Sequence, residues 1–200
     1  MHRNVVLTSS FHTVANTLLS QDIIPSTPIA VAFITTAGKV YENVPWQDND
    51  KKSLISLGYT LTEIDLRDYT PTQLSSVLAP FDMVFVAGGN TTYLYHYAHT
   101  SGFIPLVKEL LRTTDTLYVG SSAGSLLAGP SVEPFVAEDT LELPSSFVLA
   151  DTTGIGLVDY IVFPHHPQFE SSDRTDRETY GDRFSFVSLT DDEYRVATYL

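Results

Sequence analysis

Short apolar runs that alternate with longer amphipathic segments are the feature that most constrains the fold of this chain. Such runs occupy residues 4–9, 29–37, 82–87 and 117–120, and residues 59–66 alternate apolar and polar with period two. The run IAVAFITTA at 29–37 is typical of a strand that is buried on both faces. Because strands that alternate with helices form βαβ units, we predict an α/β fold. In it a mainly parallel central sheet lies between two helix layers, as in flavodoxin-like proteins.

Helical patterns occupy the segments between these runs, at residues 11–19, 48–57, 70–78, 92–99 and 103–112. Thr70 is a favoured N-cap residue, and Pro71 is tolerated at the first helical position. Gly58 suits the position just after a helix C-terminus, where a left-handed backbone is common. The sequence therefore marks both the beginning and the end of individual helices.

The part of the chain after residue 129 is less regular. For residues 130–153 we predict loops and a short hairpin. We predict strands at 160–163, 184–189 and 194–199, and one or two helical turns at 174–180. Since no repeat, low-complexity tract or linker interrupts the chain, we predict one domain over residues 1–200.

The charge balance narrows the choice of partners. Among the 200 residues, 24 are acidic and 11 are basic, which gives a formal charge of −13. Such a chain repels phosphate backbones and anionic lipids, so we expect neither a nucleic acid nor a membrane as partner. A homodimer stays open as an alternative to a monomer.

Cysteine is absent from the sequence, which excludes disulfides, thiolate metal sites and a cysteine nucleophile. The first residues lead directly into a short strand and lack the apolar segment of a signal peptide. No apolar run approaches the roughly 20 residues that span a bilayer. We therefore expect a cytoplasmic protein.

Residues 120–124, GSSAG, form a G-x-S-x-G pattern between a predicted strand and a short helical run. In this context the pattern is typical of a nucleophile elbow, where a sharp turn projects the serine hydroxyl away from the backbone. The middle residue, Ser122, is the candidate nucleophile, and Ser121 is the weaker candidate. The alternative interpretation is a small-residue turn that packs a helix on a sheet.

A serine nucleophile needs a base, and the histidines differ in position. His165 and His166 follow a predicted strand at the edge where parallel sheets bind ligands. One of them is the candidate base, whereas we expect surface or packing roles for the others, His2, His12, His96 and His99. Because adjacent side chains of an extended segment point to opposite faces, the pair is a poor metal chelate, and we expect no metal.

Two other sets of residues complete the candidate site. Several acidic residues could orient the base, namely Glu133, Glu138, Asp139, Asp173, Asp191, Asp192 and Glu193, and their spacing does not choose among them. The turn Gly88–Thr92, GGNTT, has backbone N–H groups that suit an oxyanion or a carboxylate. A phosphate loop is a weaker interpretation because no lysine follows. A plain strand-to-helix turn capped by Asn90 or Thr91 is the remaining alternative.

The blocks FVAGGNTTYLYHYAHTSGF, YVGSSAGSLLAGPSV and LVDYIVFPHH together resemble the peptidase E (aspartyl dipeptidase) family of serine peptidases. Cyanophycinase is a more distant relative. The resemblance covers most of the chain and is strongest over residues 29–130. It implies a fold similar to that of class I glutamine amidotransferases. Those enzymes use a cysteine where this chain has Ser122, so amidotransferase chemistry is not expected.

The resemblance also implies roles for individual residues. Ser122 is the implied nucleophile, and His165 is preferred over His166 because the family's histidine follows a proline after an apolar strand. The implied acid lies in a loop before the last strand, which favours Asp191, with Asp192 and Asp139 in reserve. The backbone N–H groups of Gly89 and Ala123 are the implied oxyanion donors, and no cofactor is implied.

The expected substrate is a small peptide, with N-terminal aspartyl dipeptides as the family's characteristic case. Asn90, in the GGNTT turn, and Arg177 are the candidate substrate-binding residues. Arg177 is a candidate because family members hold the acidic side chain with an arginine after the histidine. Arg174 is the neighbouring alternative. The competing interpretation pairs these arginines with the local acids Asp173, Asp176 and Glu178.

A second function stays open beside a serine peptidase that forms an acyl-enzyme. A relative of this family could keep the fold as a binding or regulatory protein, without efficient turnover. A hydrolase for small acyl esters or isopeptides would use the same residues. Reaction with a fluorophosphonate separates the binding or regulatory protein from the hydrolases, since only an activated serine reacts.

Overall fold

A computed structural model describes residues 4–144, 147, 149 and 151–199. Its strands are β1 Val5–Thr8, β2 Ala30–Ile34, β3 Thr60–Ile64, β4 Met83–Val86, β5 Leu117–Ser121, β6 Tyr160–Phe163, β7 Ser185–Ser188 and β8 Tyr194–Ala197. Its helices are α1 Phe11–Ser20, α2 Pro45–Ser56, α3 Pro71–Leu78, α4 Thr91–Thr100, α5 Phe103–Thr113, α6 Ala123–Leu127, α7 Glu133–Asp139 and α8 Glu170–Tyr180. Among these helices none is long and apolar enough to cross a membrane.

Six strands form the central sheet in the order β3-β2-β4-β5-β1-β8. The first five run parallel to their neighbours, and β8 pairs antiparallel with β1 at the edge. The strands β6 and β7 form a separate parallel pair. The observed sheet confirms the predicted α/β class with a mainly parallel central sheet.

Two apolar clusters occupy the two faces of the sheet. Successive residues of β1 and β4 contribute to opposite clusters, as the period-two geometry of a strand requires. Helices α1 and α2 pack on one face, where Phe85 of β4 stacks on Phe33 at 5.0 Å between ring centroids. Helices α3 to α6 pack on the other face. Because both faces are buried, the central strands are continuously apolar.

The predicted helix boundaries are confirmed where the sequence carries capping residues. Thr70 and Gln73 form a reciprocal capping box at the start of α3, with Pro71 in its first turn. Gly58 follows the C-cap of α2 with a φ of 86°, the left-handed conformation expected there.

The prediction for residues 130–153 was wrong in one respect. Helix α7 forms within this segment, where loops and a hairpin were predicted. Pro134 lies in its first turn, where proline removes no intrahelical hydrogen bond. The only antiparallel pairing among the described residues of this segment is the isolated bridge between Ser131 and Thr153. Helix α8 also begins earlier than predicted, at Glu170.

Candidate active site

The turn between β5 and α6 carries Ser122 in a strained backbone conformation. Ser122 has a φ of 50° and a ψ of −110°, a region that residues with a side chain rarely adopt. Its N–H donates to the Thr8 carbonyl of β1 at 3.0 Å, which fixes the turn against the sheet. Such strain persists only where the surrounding structure imposes it, and at this turn it lifts the serine side chain off the strand.

Small residues let the turn at Ser122 pack closely against the sheet. A Cβ atom on Gly124 would lie 2.0 Å from the carbonyl oxygen of Val86 in β4, so no side chain fits there. The hydroxyl of Ser125 lies within 2.9 Å of the Thr8 and Gly120 carbonyl oxygens and accepts a hydrogen bond from the Thr8 N–H. Helix α6 is therefore fixed to both β1 and β5.

Ser122, His165 and Asp191 lie in one hydrogen-bonded chain. The Oγ of Ser122 is 3.0 Å from Nε2 of His165, and Nδ1 of His165 is 2.7 Å from Oδ1 of Asp191. The three residues follow β5, β6 and β7 respectively. The strand ends therefore bring together residues that are far apart in the sequence.

Ser9 is a site residue that the sequence analysis missed. Its hydroxyl donates to Oδ1 of Asp191 at 2.7 Å and accepts the backbone N–H of His165, also at 2.7 Å. It thereby ties the histidine loop to the aspartate. Its position directly after β1 was the available indication, because it lies at the same sheet edge as the other residues.

The environment of Asp191 keeps its carboxylate ionised. Partial burial raises the pKa, but the hydrogen bonds from Ser9 and His165 outweigh this effect, and the net pKa lies below the usual value. An ionised Asp191 can hold the His165 ring by Nδ1 and stabilise a positive charge on it.

The reserve residues have other partners. Asp192 accepts a hydrogen bond from Thr190, and Asp139 accepts the Thr92 N–H at the start of α4 at 2.8 Å. The Nδ1 of His166 is 3.8 Å from Asp173. The structure therefore brings His165 and Asp191, and not these alternatives, together with Ser122.

The Gly88–Gly89 turn lies beside the turn at Ser122, and two side chains of α2 donate hydrogen bonds to it. The Gly88 carbonyl accepts hydrogen bonds from Nε1 of Trp46 at 3.0 Å and from Nε2 of Gln47 at 2.8 Å. In a trans peptide the carbonyl and the following N–H point in opposite directions. Trp46 and Gln47 therefore direct the Gly89 N–H away from themselves. Gly89 has a φ of 143°, a conformation that favours glycine.

Asn90 caps α4. Its side-chain oxygen accepts the Tyr93 N–H at 2.8 Å, and its amide nitrogen donates to the Asp139 carbonyl at 2.9 Å and to the Glu142 carboxylate at 3.2 Å. The side chain is fully buried. These contacts bear out the helix-cap alternative, and they leave no amide hydrogen for a substrate.

Arg177 is paired inside the protein. Its guanidinium contacts the buried Asp173 carboxylate through Nε and Nη2, and it also donates to the Phe186 carbonyl and to the Ser188 hydroxyl. It is not among the described residues that line the cavities at Ser122. The structure therefore favours the alternative in which Arg177 pairs with a local acid.

Two cavities meet at Ser122 and His165. The first, of about 260 Å³, extends toward α7 and is lined by Phe135, Glu138, Asp139 and Glu142 among others. The second, of about 430 Å³, extends toward α2 and is lined by Ser10, Trp46 and Asp50 among others. Within the described residues, no group of three histidine, aspartate or glutamate side chains is placed to hold a metal ion.

The fold and the site define an α/β protein in which serine, histidine and aspartate are arranged as in serine hydrolases. The model of peptidase family S51 matches residues 6–189, so the chain belongs to this family. Membership places it among the serine-type peptidases and confirms the class predicted from the sequence. Asp191 lies two residues beyond the matched range, so its assignment depends on geometry.

Known proteins agree with this membership. An uncharacterised peptidase of Pasteurella multocida is 29% identical over 140 residues, which cover 70% of this chain and 66% of that protein. An uncharacterised peptidase of Listeria monocytogenes is 30% identical over 166 residues, 82% of this chain and 78% of that protein. A crystal structure described as a peptidase E protein from Listeria monocytogenes superposes with a TM-score of 0.82 at 26% identity. It covers 98% of this chain and 94% of the other. The predicted resemblance to peptidase E is therefore confirmed.

Proposed function

We propose that this chain hydrolyses small peptides with Ser122 as nucleophile, His165 as general base and Asp191 as the residue that orients the base. The observation that carries the proposal is the hydrogen-bonded chain from Ser122 through His165 to Asp191, which begins at a strained serine. A merely structural turn has no need of a strained serine aligned with a histidine and an ionised carboxylate.

The proposed reaction has two halves. His165 takes the Ser122 proton at Nε2, and the serine oxygen attacks the peptide carbonyl carbon. The protonated imidazole then gives its proton to the leaving amine, and an ester to Ser122 remains. In the second half His165 takes a proton from water, the water oxygen attacks the ester, and the acid leaves as Ser122 is reprotonated.

The proposed oxyanion donors are the backbone N–H groups of Gly89 and Ala123. Ala123 is the first residue of α6, so its N–H has no intrahelical acceptor. Trp46 and Gln47 orient the Gly88–Gly89 peptide, and Gly89 lines both cavities. Donors that are held before the reaction stabilise the developing negative charge without reorganisation.

The proposed substrates are short peptides without selectivity for an N-terminal aspartate. The second cavity has the volume of a typical small-ligand site and the first is somewhat smaller, and Arg177 is bound to Asp173 rather than placed in either of them. An acidic side chain would meet carboxylates and no arginine or lysine among the described lining residues.

A panel of dipeptides tests this function. Lys-Leu, Ala-Leu, Asp-Leu and Glu-Leu are incubated with the wild type, Ser122→Ala and Arg177→Met, and the free amino acids are quantified. We expect cleavage by the wild type, none by Ser122→Ala, and an unchanged order of substrates with Arg177→Met. Preferential cleavage of Asp-Leu that disappears with Arg177→Met would instead establish an aspartyl dipeptidase. Cleavage of no peptide would reject the proposal.

The hydrogen bond from Gln47 to the Gly88 carbonyl gives a separate prediction. Gln47→Met keeps the side-chain volume but removes the N–H donor to the Gly88 carbonyl, so the Gly89 N–H loses part of its orientation. We expect kcat to fall by roughly 10- to 100-fold, with little change in KM, because oxyanion donors act in the transition state. Steady-state kinetics on a cleaved dipeptide checks this. A change in KM alone would contradict the assigned role.

The matched variant for this experiment is Gln47→Glu. It retains the length of the side chain but places an acceptor against the Gly88 carbonyl. We expect a loss of kcat at least as large as that of Gln47→Met. Equal activity of the Gln47→Glu variant and the wild type would show that the hydrogen bond does not support the turn.

A further inference from the structure

Apart from His165, the charged residues among the described lining of the cleft around Ser122 are all acidic. Its described lining residues include four carboxylates, one in the cavity toward α2 and three in the cavity toward α7. They include no lysine or arginine, and His165 is the only basic residue. A peptide that enters this cleft therefore meets a negative field on both sides of the nucleophile.

Asp50 differs from the other three carboxylates because it is buried. It lies on α2, is 2% exposed, and lines the cavity that also contains Ser122 and His165. Its Oδ1 accepts the backbone N–H of His12 at 3.0 Å. The His12 imidazole lies 3.5 Å from Oδ1, with 34% of its side chain exposed.

Asp173, the other buried carboxylate of the described chain, shows what is missing at Asp50. Arg177 neutralises Asp173 through two guanidinium nitrogens, and Ser188 adds a hydrogen bond. No lysine or arginine nitrogen among the described residues lies within 4.0 Å of Asp50. A buried carboxylate is costly unless a positive charge compensates it, and Asp50 has only a partly exposed imidazole.

We propose that the Asp50 carboxylate binds a positively charged group of the substrate, an ammonium or a guanidinium, in the cavity next to Ser122. This inference rests on the proposed peptidase function and specifies its substrate class. Burial raises the pKa of Asp50, and its contacts with His12 oppose this shift. A substrate cation then supplies the charge that the protein lacks at this position.

The positive charge has two sources in a short peptide. The free α-amino group is one, and a lysine or arginine side chain is the other. Both present the same chemistry to Asp50. Peptides that differ in only one of these groups distinguish them, namely Lys-Ala, norleucyl-Ala and the acetylated form of each.

Binding to the Ser122→Ala protein tests the inference independently of turnover. Calorimetry at pH 7.5 measures the affinity of the four peptides for Ser122→Ala, Ser122→Ala with Asp50→Asn, and Ser122→Ala with Asp48→Asn. Asp48 lies on the same helix and pairs with Lys51 at the surface, so it is the matched control. Hydrolysis of the same peptides by the wild type reports separately on the proposed function.

We expect cationic peptides to bind roughly 10- to 100-fold more tightly than their neutral counterparts, the size of a charge-assisted hydrogen bond. Asp50→Asn should remove this ratio, and Asp48→Asn should retain it. Loss of the ratio on acetylation identifies the α-ammonium, and loss with norleucine identifies the side chain. Three results would overturn the inference: equal affinities in Ser122→Ala, an unchanged ratio with Asp50→Asn, or no binding of any peptide.

Thermal melting checks that Asp50→Asn folds. Because burial raises the folded-state pKa of Asp50 above the ordinary value of 3.8, stability falls as the pH rises from that value through the folded-state pKa, and ionised Asp50 then disfavours the fold. Removing its charge should leave the melting temperature at pH 7.5 equal to or above that of the wild type. With the melting temperature retained in this way, a lost affinity ratio reports on the charge and not on unfolding.

Discussion

Ser122→Ala is expected to lower kcat/KM for a cleaved peptide by about 10⁴-fold or more, because removal of a serine nucleophile leaves only binding and oxyanion stabilisation. The substitution deletes one oxygen, which lies 3.0 Å from Nε2 of His165. Alanine and serine tolerate the positive φ of this position about equally, so the substitution adds no backbone strain and the fold should be retained. The residual rate is measured with enzyme in excess over substrate.

The neighbouring serine is the matched control for this prediction. Ser121 is the last residue of β5, and its hydroxyl accepts the Phe11 N–H at 3.3 Å on the side of α1. Ser121→Ala should therefore retain activity within about tenfold of the wild type, the effect of one lost hydrogen bond. Equal losses of activity in the two variants would mean that the turn at Ser122 has only a structural role.

Asp191→Asn should produce the second-largest loss, about 10³-fold in kcat, with a small change in KM. An asparagine keeps the shape but lacks the negative charge, so it neither selects the reactive tautomer of His165 nor stabilises its protonated ring. The substitution also disturbs the Ser9 hydroxyl, which donates to the Asp191 carboxylate in the wild type. Steady-state kinetics at saturating peptide measures the loss.

Asp192 and Asp139 provide the controls. Asp192→Asn changes a neighbouring surface carboxylate that bonds to Thr190, and its expected effect on kcat is below threefold. Asp139→Asn changes a helix-capping contact and should lower stability more than it lowers kcat. A greater loss of kcat with either variant than with Asp191→Asn would transfer the orienting role to that residue.

Much of the central architecture was predictable because local and global preferences agree. Both faces of the central strands are buried, so their sequences are continuously apolar, and the segments between them carry amphipathic patterns and capping residues such as Thr70. The turn at Ser122 is recognisable in the sequence for a related reason. A Cβ on Gly124 would collide with Val86, and one on Gly120 would collide with the Gly124–Ser125 backbone, so both positions require glycine and leave a short local pattern in the sequence.

Other parts of the site depend on tertiary contacts that no local pattern specifies. Ser9 reaches Asp191 only because β1 lies between β5 and β8 in the sheet. Trp46 and Gln47 reach the Gly88 carbonyl across about forty positions of sequence. Helix α7 was not predicted, although the first turn of a helix tolerates a proline such as Pro134.

The substrate prediction shows how a charged residue can mislead. Arg177 has the right chemistry for a carboxylate, and the sequence left open whether that carboxylate belongs to a substrate or to the protein. The fold places Asp173 one helical turn before Arg177, and Ser188 and the Phe186 carbonyl complete its contacts. Apart from His165, the charged residues among the described lining of the cleft are carboxylates, which is why we propose cationic peptides.

Covalent labelling with a fluorophosphonate tests most directly whether Ser122 is an activated nucleophile. Wild type, Ser122→Ala and Ser121→Ala are treated with the reagent, and intact mass spectrometry and peptide mapping locate the adduct. We expect a single adduct at Ser122 in the wild type and in Ser121→Ala, and none in Ser122→Ala. An unlabelled wild type, or an adduct that persists in Ser122→Ala, would show that Ser122 is not the nucleophile.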